Sequence, residues 1–129
     1  MLMYYFDSTF DENFDKQIIV IEGDITDKDL SENLSKCEFD TIINCAACVK
    51  HFVADDLLDR VNVRGVENLI KICRNLNKKL IQISTVSVAG ESVNEHISSE
   101  IKLTENKLDM GQILENKYAH TKYLAETAM

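Results

Sequence analysis

The chain has 129 residues, enough for one domain with a small core. Its composition, 45% hydrophobic and 28% charged, is that of an ordinary globular protein. A formal net charge of −8 disfavours nucleic acid and anionic membranes as partners, and no apolar run approaches the ~20 residues of a membrane span. The opening Met1-Leu2-Met3-Tyr4-Tyr5-Phe6 carries no basic stretch and no cleavage motif, so it does not read as a signal peptide. A cytoplasmic protein is expected.

Gln17 to Glu22 form a β-branched run closed by Gly23-Asp24, which predicts a buried strand. Thr26 or Asp27 can cap a short helix reaching Leu34. Phe39 to Cys45 predict a second buried strand. From about residue 54 to 76 the pattern turns helical, with Leu57, Leu58, Val61, Val66, Leu69, Ile70, Cys73 and Leu76 at spacings of three and four. Gly65 inside that helix costs about 1 kcal/mol relative to Ala, which suits close packing against a neighbour. Lys79 to Ser84 predict a third strand. Residues from about 91 to 110 are polar and aperiodic, a long loop. A last helix begins at Gln112 or Asn116. Strands alternating with helices predict an α/β fold with a parallel sheet and flanking helices.

Four cysteines (Cys37, Cys45, Cys48, Cys73) are irregularly spaced and are expected to be free thiols. Cys45 and Cys48 have CxxC form. A zinc site would need two more ligands, and Cys37, Cys73 and His51 form no second close pair. Cys45 closes a strand, whereas a redox pair places its first Cys at the opening of a helix. No metal site is expected. His51 and His120 read as structural, His96 as a loop residue, and Asp55, Asp56 and Asp59 as a solvated helix face whose start suits the helix dipole.

Tyr118-Ala119-His120-Thr121-Lys122 carries the clearest chemistry. A Tyr and a Lys four apart share one helix face. A nearby ammonium favours the phenolate and lowers the Tyr pKa. Such a phenol can pass a proton to or from an alcohol or carbonyl oxygen. Ser84-Thr85-Val86-Ser87, at the end of a predicted strand, offers hydroxyls for the same oxygen.

With these elements placed, the chain resembles the extended short-chain dehydrogenase/reductase superfamily. Within it, the resemblance is closest to the thioester reductase domains of non-ribosomal peptide and polyketide synthetases and to related carboxylic acid and fatty acyl reductases. The resembling stretches are Val20-Ile21-Glu22-Gly23-Asp24-Ile25-Thr26, Ile43-Asn44-Cys45-Ala46-Ala47-Cys48-Val49-Lys50-His51 and Asn62-Val63-Arg64-Gly65. Ile83 to Gly90, Gly111-Gln112 and Asn116 to Lys122 complete them. YxxxK alone is a weak signal. Its place after a Ser-Thr strand end, with Gly-Asp-Ile-Thr upstream, makes it specific.

The resemblance implies a partial Rossmann-type, three-layer fold of about three strands, with residues 1–129 the central portion of a single NAD(P)-binding domain. It implies that Tyr118 is the general acid and that Lys122 lowers its pKa and holds the nicotinamide ribose. Thr85, placed relative to Gly90, would hydrogen-bond the reacting oxygen, and Asn62 would order a proton relay near Lys122. Asp24 and Ile25 would meet the adenine, while Ala46 and Ala47 let the dinucleotide approach the backbone. The implied activity is NADPH- or NADH-dependent reduction of a thioester on a carrier protein to an aldehyde. A nucleotide-sugar epimerase or dehydratase of the same superfamily is the alternative enzyme. A non-catalytic truncated module is the alternative of another class.

The four glycines (Gly23, Gly65, Gly90, Gly111) stand far apart, so no glycine-rich phosphate turn is present. The resemblance therefore predicts a truncated fragment, inactive and without bound cofactor on its own, whose parent domain is the cofactor-binding enzyme. In the parent sheet two further strands separate the Gln17–Glu22 strand from the Phe39–Cys45 strand. Without them, unpaired edges favour self-association or a rearranged sheet.

Overall fold

The computed structural model describes residues 18–49, 55–90, 92–93 and 104–129. Two parallel strands, β1 (Thr41–Asn44) and β2 (Lys79–Gln82), pair in register from Thr41 opposite Lys79 to Asn44 opposite Gln82. The ladder continues beyond the strands at both ends: Lys79 N–H donates to Asp40 O, and Ile83 N–H to Asn44 O, each at 3.0 Å. A short helix, α1 (Leu30–Ser35), precedes β1.

The crossover between the strands includes α2 (Asp55–Asp59), a π-helical turn at Arg60–Arg64 and α3 (Gly65–Leu76). Leu58, Asn62, Gly65, Val66, Leu69, Ile72 and Cys73 are buried along it, the helical period made visible as packing. Asn77 ends α3 in the left-handed region (φ 52°, ψ 50°), where Lys78 N–H reaches back to Cys73 O at 2.8 Å. Asn tolerates this conformation better than most residues, and the long backward bond satisfies an orphan carbonyl. After β2 the chain makes a 3-10 turn (Val86–Ala89). Two-residue strands β3 (Ser92–Val93) and β4 (Gln112–Ile113) then pair antiparallel. The final helix is α4 (Lys117–Thr127).

Gly65 is where a predicted close contact occurs. A Cβ there would lie 2.7 Å from Ile25 Cδ1 and 2.9 Å from Cγ1. Asn68 completes the attachment by donating to the carbonyls of Ile25 and Asp27, each at 2.9 Å. The segment before α1 is thereby tied to α3 rather than to the sheet.

The α/β class and the parallel pairing agree with the sequence reading, but three boundaries differ. First, the predicted Gln17–Glu22 strand is not formed among the described residues: Ile18 makes one bridge, and Ile19 to Glu22 are exposed and irregular. Gln17 itself lies outside them. The parallel sheet accordingly has two strands, not about three, because a strand needs a neighbouring backbone as well as β-branched side chains. Second, the helix expected from Thr26 or Asp27 begins at Leu30 instead. Asp24 closes a separate turn, with Asp27 N–H donating to Asp24 O at 3.0 Å. Third, of the two starts offered for the last helix, Asn116 holds as the cap of α4, while Gln112 belongs to β4.

Candidate active site

The helix bearing Tyr118 starts at a strong local signal. Asn116 Oδ1 accepts from the N–H groups of Tyr118 at 2.9 Å and Ala119 at 3.2 Å. Two otherwise orphaned amides are satisfied, fixing where the helix begins. Tyr118 is half-buried, and Lys122 lies one turn further on, buried. The Lys122 ammonium donates to Ile83 O at 2.5 Å, at the carboxyl end of β2. Burial pulls the Lys122 pKa down, while the Glu126 carboxylate and the Cys45 thiol pull it partly back up.

Thr85 follows that strand end. Its extended backbone (φ −142°, ψ 145°) caps the 3-10 turn, and its hydroxyl accepts from Ser87 N–H at 3.3 Å. A cavity of ≈ 550 Å³ opens beside it, with Ser84, Thr85, Lys107, Leu108, Gln112 and Glu126 among its lining. The carboxyl ends of parallel strands are where open α/β sheets take ligands. Gln112 braces this region, donating to Val88 O at 3.0 Å and Leu108 O at 2.8 Å while accepting from Met110 N–H at 2.7 Å.

Asn62 is fully buried, and its carboxamide is fully engaged. Oδ1 accepts from Cys48 N–H at 2.8 Å; Nδ2 donates to Cys48 O at 2.9 Å and to Thr121 Oγ1 at 3.0 Å. Thr121 Oγ1 in turn donates to Tyr118 O at 2.8 Å. The predicted relay residue thus joins the loop after β1 to the Tyr118 helix, with its bonds to Cys48 and Thr121 rather than to the Lys122 ammonium. It sits in the π-helical turn, a geometry frequent at functional sites.

Ala46 is exposed and Ala47 half-buried in the loop after β1. Asn44, buried, shapes that loop by accepting from Ala46 N–H at 3.1 Å and donating to Gln82 at 2.7 Å. Asp24 Oδ1 accepts from both the N–H and the hydroxyl of Thr26 at 2.8 Å, which holds its carboxyl below the ordinary aspartate range. The neighbouring Ile25 points part of its side chain onto Gly65. Cys37, Cys45, Cys48 and Cys73 are free, and burial raises the Cys73 thiol pKa. His51 and His96 lie outside the described residues.

Sequence reasoning missed Thr121, Asn44 and the Ser84–Glu126 contact, in which the Ser84 hydroxyl donates to the Glu126 carboxylate. The only available signal was that Glu126 falls one further turn along the face of Tyr118 and Lys122.

The parallel strands, the hydroxyl at a strand end and the Tyr118–Lys122 helix together define a Rossmann-type reductase domain. The chain belongs to the NAD-binding family described as "Male sterility protein", whose profile matches residues 3–129. It is 45% identical to a thiolation-reductase di-domain of an archaeal non-ribosomal peptide synthetase, covering 97% of this chain and 27% of that one with a TM-score of 0.83. It is also 33% identical over 82 residues to the decarboxylating sterol-4-alpha-carboxylate 3-dehydrogenase of Candida albicans, covering 62% of this chain and 22% of that protein. The chain therefore spans about a quarter of each relative's length. No described helix is long and apolar enough to cross a membrane.

Proposed function

We propose that this chain is the central part of a cytoplasmic NAD(P)H-dependent reductase that converts a thioester on a carrier protein to an aldehyde. The observation that carries the reading is the buried Lys122, one helical turn from Tyr118, whose ammonium is held by the carbonyl of Ile83 two residues before Thr85. The 45% identity to a thiolation-reductase di-domain favours a thioester as the substrate class.

The family resemblance assigns residues of this chain to the two ends of a nicotinamide dinucleotide. Asp24, with its low-pKa carboxylate, and Ile25 would stand at the adenine, Ala46 and Ala47 would let the cofactor lie close to the loop, and Lys122 would hold the nicotinamide ribose. Bound cofactor supplies the hydride that reaches the thioester carbon. Thr85 and Tyr118 then stabilise the oxyanion by hydrogen bonding, and Tyr118 gives it a proton. The resulting hemithioacetal breaks its carbon–sulfur bond, releasing aldehyde and the carrier thiol.

The sterol dehydrogenase similarity favours a second reading, in which Tyr118 as phenolate would take the hydroxyl proton of a secondary alcohol while an oxidised nicotinamide would take the hydride from its carbon. In either reading the exposed apolar face of the sheet invites a second copy of the chain.

A fluorescence titration with NADPH, and with NADH beside it, tests the cofactor step. Saturable micromolar binding, followed by a Tyr118→Phe variant that binds equally but loses at least a hundredfold in thioester reduction, supports the reading. Absence of binding up to millimolar cofactor denies catalysis to this chain by itself.

A further inference from the structure

Residues 118, 122 and 126 share one face of α4, and the last two meet adjacent residues of the strand end. Lys122 holds the carbonyl of Ile83, and Glu126 accepts from the hydroxyl of Ser84. We propose that Glu126 is a positioning residue for the Tyr118–Lys122 pair, its carboxylate locking α4, one helical turn beyond Lys122, to the strand end that presents Thr85. This rests on the reductase reading for its purpose, though not for its geometry.

Two groups one helical turn apart grip two consecutive strand residues, which fixes both the rotation and the height of the helix against the sheet. The next strand-end residue is Thr85, so the grip sets the separation between its hydroxyl and the Tyr118 phenol. The electrostatic part follows from burial. An ammonium as enclosed as that of Lys122 loses charge unless an anion or oriented dipole compensates. On its own helix the compensating group is Glu126, with Tyr118 one turn to the other side. From the sheet the Cys45 thiol faces it, and the Ile83 carbonyl supplies a dipole. Ser84 keeps the carboxylate from turning out to solvent.

The test is a pH titration of the Lys122 side chain by carbon- and nitrogen-detected NMR on the full chain. A Cys45→Ala background takes the neighbouring thiol out of the comparison, and Lys122→Arg identifies the resonance. Glu126→Gln should move the Lys122 midpoint to lower pH, and Ser84→Ala should move it the same way by less. A merely structural Glu126 would lower the melting temperature and leave the midpoint unmoved, which would overturn the proposal. Should Glu126→Gln not fold, Ser84→Ala decides alone, since it alters no charge and an unmoved midpoint there also overturns it. The measurement uses neither cofactor nor turnover, so a failed NADPH titration leaves its outcome intact.

Discussion

At the scale of single residues, Asn62 is the clearest case of a polar group whose burial is matched by partners. Its carboxamide makes three hydrogen bonds, two to the backbone of Cys48 and one to Thr121. Removing it strands a buried amide, a carbonyl and a hydroxyl together, and each unsatisfied group costs about 1–3 kcal/mol. Asn62→Ala should therefore lower stability by about 2–3 kcal/mol in urea unfolding. Thr121→Val, which keeps the shape and removes only the hydroxyl, should cost about 1 kcal/mol. A loss below about 0.5 kcal/mol in Asn62→Ala would mean that water replaces the brace and that this residue is free for another role. The same accounting explains why Tyr118 is held in place from behind: the Thr121 hydroxyl that receives Asn62 also donates to the Tyr118 carbonyl.

At the scale of elements, the contact between Ile25 and Gly65 tests whether local preference or packing governs α3. Helix propensity alone favours Ala over Gly by about 1 kcal/mol. A Cβ at Gly65 would nevertheless enter the Ile25 side chain at 2.7 and 2.9 Å, and overpacking of that kind costs about 1–3 kcal/mol. Gly65→Ala should destabilise the wild type by about 1 kcal/mol, yet stabilise an Ile25→Ala background, where the propensity term acts without the clash. Additive effects in that double-mutant cycle would show that the two residues do not touch in solution. The long crossover was legible in the sequence because Leu58, Val66, Leu69 and Cys73 repeat at helical spacing over many turns. The π-helical turn was not, since a single turn of five residues is too short to register as a change of period. The Ile18 to Ile21 run misled because β-branched residues describe a side-chain surface, whereas a strand also requires a partner backbone. Strands β3 and β4 are two residues each, too short to carry any period. For the site, the shared helix face of Tyr118 and Lys122 was legible from their spacing, and Thr85 entered through the resemblance alone. The Asn62–Thr121 and Ser84–Glu126 contacts depend on how α4 docks, which no local pattern encodes.

At the scale of the whole molecule, the sheet presents two unlike faces. Alternation along β1 and β2 turns Ile42 and Leu80 partly inward and leaves Ile43 61%, Ile81 49% and Ile83 48% exposed. Ile19 and Val20, at 73% and 71%, add to the apolar surface outside the core. Exposed apolar groups clustered on a sheet of two strands among the described residues favour association, by burial and by edge pairing together. The formal charge of −8 opposes close approach of two copies, and salt screens that repulsion. Self-association should therefore strengthen as ionic strength rises, the reverse of an assembly held by ion pairs. Ile43→Thr combined with Ile81→Thr keeps β-branched shape at both positions while removing apolar area from the face alone. In sedimentation velocity the wild type should shift toward dimer or larger species with concentration and salt, and the double variant should remain monomeric with an unchanged circular dichroism spectrum. A wild type that sediments as a monomer throughout would sink the idea. A variant that associates as strongly as the wild type would move the contact from the Ile43–Ile81 face to the open strand edges, where side-chain substitutions have little purchase on backbone pairing.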